Sequence, residues 1–145
     1  MNALHKPPRI TVVNDNEMFL ELMHDLLTQE GYDVRPVVGD TATVEGIAAT
    51  QPDLLVIDLR LGRDAPSGWD VLLMARAYGP LREIPIVLCS ADIVELRARK
   101  EEMSAVADVH ILEKPFRIEQ AEELVRRLLE RDPPPVMRAP KPEPT

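Results

Sequence analysis

PDLLVIDLRLG, residues 52–62, holds four consecutive apolar residues, Leu54 to Ile57, with Asp58 directly behind them. A strand wetted on one face alternates apolar with polar side chains. A strand apolar on both faces reads as the interior of a parallel sheet covered on each side. A carboxylate at the end of such a run costs several kcal/mol to desolvate unless a partner compensates it. The run therefore speaks to the fold, and whatever compensates Asp58 speaks to the function.

On either side of this stretch, short apolar runs alternate with longer periodic segments. RITVVN (9–14) is a β-branched strand. Residues 16–31 read as a helix with Phe19, Leu22, Met23, Leu26 and Leu27 on one face and Gly31 at its C-cap. DVRPVV (33–38) is a weak strand that Pro36 assigns to a sheet edge. Helices are expected over 41–50, 67–78, 92–106 and 117–131, the last with a stripe of Ile118, Ala121, Leu124, Val125 and Leu128. The remaining strands are 84–90 and 109–114. Strand and helix alternate five times, which predicts a doubly wound α/β sandwich: a five-stranded parallel sheet flanked by five helices.

Composition bounds the rest. The 145 residues suit one domain, and 45% apolar with 29% charged residues is ordinary for a globular chain. Six of the 14 prolines lie between Pro133 and Pro144, so 132–145 is expected to be an extended or disordered tail. Residues 1–8 form an N-terminal extension and 9–131 the folded domain. A formal net charge of −8 argues against a nucleic-acid partner. No apolar run has the length of a membrane span, and Pro7 and Pro8 stand where a signal peptide needs its apolar segment; the chain reads as cytoplasmic. Cys89, the single cysteine, is expected to be inert core, and no Cys/His group has zinc-site spacing.

Ligands of open parallel sheets bind beyond the carboxyl ends of the strands. This chain puts Asn14, Asp15, Asn16 and Glu17 there on its first strand, Asp58 on the third, Ser90 on the fourth and Lys114 on the fifth. If the first and third strands are neighbours, Asp15 and Asp58 converge, and two carboxylates about 4 Å apart repel by roughly 4 kcal/mol at an effective dielectric of about 20. Lys114 offsets part of that, and a hard dication with oxygen ligands would offset more. A nucleophilic carboxylate, a metal seat, a hydroxyl and an ammonium together suit phosphoryl transfer, with Asp58 as acceptor.

With these residues in order, residues 9–131 resemble the receiver domain of bacterial two-component response regulators, a flavodoxin-like fold with strand order 2-1-3-4-5. The resemblance implies that Asp58 is the phosphoacceptor, and that Ser90 and Lys114 contact the phosphoryl group. It implies that Mg²⁺ is held by Asp15, Asp58 and the backbone carbonyl of Arg60, with Asn14 reaching it through water. Ala91, Asp92, Ile111 and Pro115 occupy positions that modulate the site, and the Lys114–Pro115 bond is expected to be cis. The chain departs from the family at Asn14, which replaces an acid, and at Ile111, where an aromatic switch is usual. GRDAPSG (62–68) is about two residues longer than usual, with glycine at 62 in place of proline, and the usual output domain is expected to be absent. Without the aromatic, signalling is expected to rest on the 90–93 loop and the helix after it.

Each residue also has a plainer reading: Asp58 as a loop cap, Asp15 and Asn16 as caps of the first helix, Lys114 as a surface charge. His5, His24 and His110 are scattered and fit neither a metal site nor a phosphodonor. Trp69 is expected to pack at the start of the third helix, and partial exposure beside the site would make it a reporter. Arg60 and Asp92 form an opposite-charge pair flanking the path of attacking water. They either bridge over the phosphoryl group and slow its hydrolysis, or are merely solvated.

The expected function is a phosphorylation-dependent switch rather than an enzyme. It would accept a phosphoryl group from a sensor histidine kinase or a histidine phosphotransfer protein, then change its binding to a downstream protein not identified by the sequence. Mixed charge on the fourth and fifth helices permits a homodimer, and no membrane contact is expected. Two other readings stand beside it: a receiver-like interaction module independent of phosphorylation, and a metal-dependent phosphohydrolase of haloacid-dehalogenase type. The latter places its nucleophile on the first strand, with a second aspartate where this chain has Arg60.

Overall fold

The computed structural model describes residues 7–39, 42–61 and 67–130. The expectations for the first six residues, for most of the 62–68 loop and for the proline-rich tail lie outside these. Five strands, β1 (Arg9–Asn14), β2 (Asp33–Val38), β3 (Leu54–Asp58), β4 (Ile86–Ser90) and β5 (Val109–Glu113), form one sheet in the order β2-β1-β3-β4-β5. Every pairing is parallel. Between them run α1 (Glu17–Gln29), α2 (Val44–Ala49), α3 (Gly68–Ala77), α4 (Ile93–Ala98), α5 (Lys100–Ser104) and α6 (Ile118–Glu130).

All residues of β3 and β4 are buried, as their unbroken apolar runs require. Alternate side chains serve opposite faces. Leu54 and Val56 join Met23, Leu27, Val125 and Leu128 under α1 and α6, while Leu55 and Ile57 join Ile47, Leu72, Ala75 and Leu96 under α2, α3 and α4. Pro36 falls on the edge strand β2, where a residue without an N–H is tolerated. Cys89 is buried among the apolar residues of β4, and burial pushes its thiol up to about 12, so the thiolate does not form near neutral pH. Among the described residues no helix is long and apolar enough to cross a membrane.

The structure corrects three details. Among the described residues six α-helices flank the sheet, not five, because the expected helix 92–106 breaks at Arg99 into α4 and α5. Leu96 is the one buried side chain of α4, and α5 buries none, so packing does not enforce continuity through that polar stretch. On α1 the inward positions are Leu20, Met23 and Leu27, whereas Leu22 is 48% exposed. Ile118, counted in the stripe of α6, is likewise exposed while Ala121, Leu124, Val125 and Leu128 are buried.

Arg76 of α3 ties the far side of the sheet together. Its guanidinium donates to the carbonyls of Leu81 at 3.1 Å, Arg82 at 3.3 Å, Ala107 at 3.0 Å and Asp108 at 3.1 Å. Burial pulls its pKa below the usual arginine value, with Asp108 acting in the opposite direction. Replacing it with methionine keeps most of the stem and leaves those carbonyls without their shared donor. Arg76→Met is expected to cost about 2–3 kcal/mol in urea unfolding, the range for hydrogen bonds to a charged group. A loss within the error of extrapolation would contradict the assignment.

Candidate functional site

The carboxyl ends of β1, β3 and β4 and the first residue after β5 open into one cleft of about 700 Å³, lined by Asn14, Asp15, Asn16, Asp58, Arg60, Ser90, Ala91, Asp92, Ile93, Val94 and Lys114. The register brings them level: Val13 pairs with Ile57, Asp58 with Cys89 and Ser90 with Glu113. The Lys114 N–H donates to Ser90 O at 2.9 Å, which carries the lysine to the same rim. The Lys114–Pro115 peptide is cis, as expected.

Asp58 lies at the floor, 8% exposed. Its two oxygens are treated differently. Oδ2 accepts from Asn14 Nδ2 at 2.9 Å and pairs with Lys114 Nζ, so the buried charge has a counter-ion. Oδ1 accepts only the Arg60 N–H, at 3.0 Å, among the described residues. One oxygen is thereby held and the other is left with a single donor. A nucleophilic carboxylate needs that asymmetry, because an oxygen saturated with donors is a poor nucleophile.

Asn14 is fully buried, and its carboxamide spans two partners: Nδ2 reaches Asp58, and Oδ1 accepts the Asn16 N–H at 2.9 Å. Asn16 in turn caps α1, its Oδ1 accepting from Met18 N at 2.9 Å and Phe19 N at 3.2 Å. The capping role weighed for Asp15 and Asn16 thus falls to Asn16 alone, while Asp15 is an exposed carboxylate on the cleft wall. Ser90 is buried, and its Oγ accepts the Asp92 N–H at 2.9 Å. Lys114 Nζ stands 4.3 Å from the centre of the Phe19 ring, and Phe19 meets Phe116 edge-on at 6.3 Å. Phe19, read from the sequence only as a core residue, therefore also flanks the ammonium. Its place in the first turn of α1, directly after the cap, is the signal that could have shown this.

Arg60 and Asp92 do bridge, NH2 to Oδ2 at 3.0 Å. Asp92 also caps α4, its Oδ1 accepting the Glu95 N–H at 3.0 Å. The Glu95 N–H and then the Arg60 guanidinium hold the Asp92 carboxyl below the usual carboxylate range. Ala91 lines the cleft; Ile111 and Pro115 do not. Ile111 sits on β5 beside Leu88, at 36% exposure. Trp69 is packed in the core at 3% exposure, so it does not border the site. Its ring lies 5.4 Å below the Arg99 guanidinium, at the break between α4 and α5.

The side-chain donors to a cation on the cleft wall are hard oxygens, the carboxylates of Asp58 and Asp15. Among the described residues no three His, Cys, Asp or Glu side chains gather into a metal cage. That set fits a dication such as Mg²⁺, which takes one or two carboxylates and keeps several waters. It does not fit zinc.

Comparison with known proteins agrees with this geometry. The response regulator receiver domain profile matches residues 10–127. The DNA-binding dual master transcriptional regulator RpaA of Synechocystis is 29% identical over 124 residues, 86% of this chain and 50% of that protein. The chain spans about half the length of the curated relatives it matches. A putative response regulator from Chloroflexus aurantiacus superposes with a TM-score of 0.73 at 26% identity, covering 87% of this chain and 100% of the other. The receiver domain of the sensor histidine kinase PA1611 from Pseudomonas aeruginosa, with a magnesium ion coordinated in its active site cleft, gives a TM-score of 0.72 at 22% identity, over 86% and 99% of the two chains. Sheet order, family profile and fold agree: the chain belongs to the response regulator receiver domains of two-component signalling.

Proposed function

We propose that Asp58 accepts a phosphoryl group from a phosphohistidine, on a sensor histidine kinase or a histidine phosphotransfer protein, and that the acyl phosphate changes which protein the chain binds. The observation that carries this is the split environment of Asp58, with Oδ2 held by Asn14 and Lys114 and Oδ1 left to a single N–H. In the transfer, Asp58 Oδ1 forms the new O–P bond as the P–N bond breaks. The electron pair stays on the imidazole nitrogen, which takes a proton from solvent. Lys114 is placed to pair with a phosphoryl oxygen, and Ser90 Oγ to donate to another.

Asp15, Asp58 and the Arg60 carbonyl would hold Mg²⁺, with Asn14 Oδ1 reaching it through water. When bound, the ion neutralises charge on the phosphoryl oxygens. The chain is a switch that catalyses its own phosphorylation and dephosphorylation, not a turnover enzyme. Its partners are proteins, since a net charge of −8 is poorly suited to a phosphate backbone. Incubation with acetyl phosphate and Mg²⁺ tests the reading. Incorporation is expected in the unmodified chain and not after chelation. Labelling that persists after chelation would contradict the metal requirement, and no labelling at all would leave an interaction module independent of phosphorylation.

Asn14 makes a separate expectation. An aspartate there would lose the donor to Asp58 and set two carboxylates against each other, a repulsion that a dication relieves. Asn14→Asp should tighten Mg²⁺ by about tenfold, or about 1.4 kcal/mol, while lowering the stability of the metal-free protein. Equal or weaker Mg²⁺ affinity in a calorimetric titration would contradict this.

A further inference from the structure

Asp92 makes three ties at once. Its Oδ2 accepts from Arg60, its Oδ1 accepts the Glu95 N–H as the cap of α4, and its own N–H donates to Ser90 Oγ. Arg60 and Ser90 line the same cleft as Asp58, and both can donate to a phosphoryl oxygen. A guanidinium pairs with the several oxygens of a phosphate through its planar fork, which one carboxylate oxygen cannot match. Arg60 is also three-quarters exposed, so its bond to Asp92 is weak and exchanges readily.

We propose that Arg60 is a phosphoryl-oxygen ligand held in reserve by Asp92, so that the phosphoryl group and the anchor of α4 compete for one guanidinium. The proposal rests on Asp58 being the acceptor. Occupation of the cleft draws Arg60 off Asp92 Oδ2 and turns the Ser90 hydroxyl from accepting the Asp92 N–H to donating outward. Asp92 is then left with the α4 cap alone. Beyond that cap, this six-residue helix is held by the buried Leu96 and by the pairing of Glu95 with Arg99 at 3.1 Å. It carries Val94, 80% exposed, and Ile93 on the cleft rim, so its release alters the apolar surface a downstream protein meets. At its far end Arg99 rests over Trp69, the single tryptophan, which supplies a reporter. This route does not use the side chain of Ile111.

The competition is reciprocal: the factor by which the Asp92 pair weakens phosphoryl binding is the factor by which the phosphoryl group weakens that pair. Asp92→Asn keeps a capping side chain and loses the charge. The probe is beryllofluoride with Mg²⁺, titrated into the whole chain and followed by Trp69 emission and by amide exchange over 93–98. Asp92→Asn is expected to tighten probe binding by about fivefold and Arg60→Ala to weaken it by about tenfold, in the range of 1–2 kcal/mol for one charge-assisted contact. In the Arg60→Ala background, Asp92→Asn should tighten it by less than about twofold. Loading should speed exchange over 93–98 in the unmodified chain. Equal tightening in both backgrounds would mean that Asp92 acts only as a nearby negative charge, and would overturn the proposal, as would unchanged exchange on loading. Failure of the unmodified chain to bind the probe would instead overturn the phosphoacceptor reading on which the proposal rests.

Discussion

Lys114→Met is expected to lower the stability of the domain by about 3 kcal/mol, because removing one partner of a buried pair leaves the other charge uncompensated. Asp58 Oδ2 would keep only Asn14 Nδ2, and the Asp58 side chain is 10% exposed. Methionine keeps an unbranched stem of similar length and removes the ammonium, together with its place over the Phe19 ring, so the loss reports charge rather than packing. The second arm is Asp58→Asn combined with Lys114→Met, which removes both charges. That double variant should recover most of the stability, since replacing both members of a buried pair is often neutral or stabilising. Urea unfolding of the two singles and the double closes the cycle. If Lys114→Met is as stable as the unmodified chain, the ion pair is not what accommodates the carboxylate.

Gly68→Ala should be nearly as damaging by a different route. Gly68 opens α3, and its N–H donates to Leu59 O at 2.7 Å. A β-carbon there would stand 1.9 Å from the carbonyl oxygen of Asp58, far inside contact distance. The obstacle is backbone, not the end of a flexible side chain, so either β3 or the start of α3 must move. Overpacking of this kind costs about 3 kcal/mol, and the shift falls on Asp58, the proposed phosphoacceptor. Gly68→Ala is therefore expected both to lower the unfolding midpoint and to slow labelling by acetyl phosphate. A variant of normal stability that labels at the normal rate would show that the approach is less tight.

The architecture was legible because the signals were local and agreed with one another. The unbroken run at 54–57 could only be covered on both faces, and Pro36 could only sit at an edge. The site was legible because Asp15, Asp58, Ser90 and Lys114 each end or follow a strand, and a parallel sheet gathers such ends at one side. Side-chain commitments were not legible. Nothing in the sequence says that Asn14 turns its nitrogen toward Asp58, or that Asp92 spends its backbone N–H on Ser90. The break at Arg99 was hidden because the helical period continues through it; the missing buried side chains of α5 are a tertiary matter. Arg76 reads as one more charge on a helix until the carbonyls it collects, from residues 81 to 108, are brought around it by the fold.

Everything proposed for the cleft depends on Asp58 being the residue that bonds to phosphorus. Borohydride reduces an acyl phosphate of aspartate to homoserine, so the acceptor can be located by residue. After treatment with acetyl phosphate and Mg²⁺, then borohydride, peptide mass mapping should find homoserine at position 58 and nowhere else. The Asp58→Asn chain should yield none. Homoserine at position 15, or an unreduced residue 58 in a chain that has taken up phosphate, would contradict it.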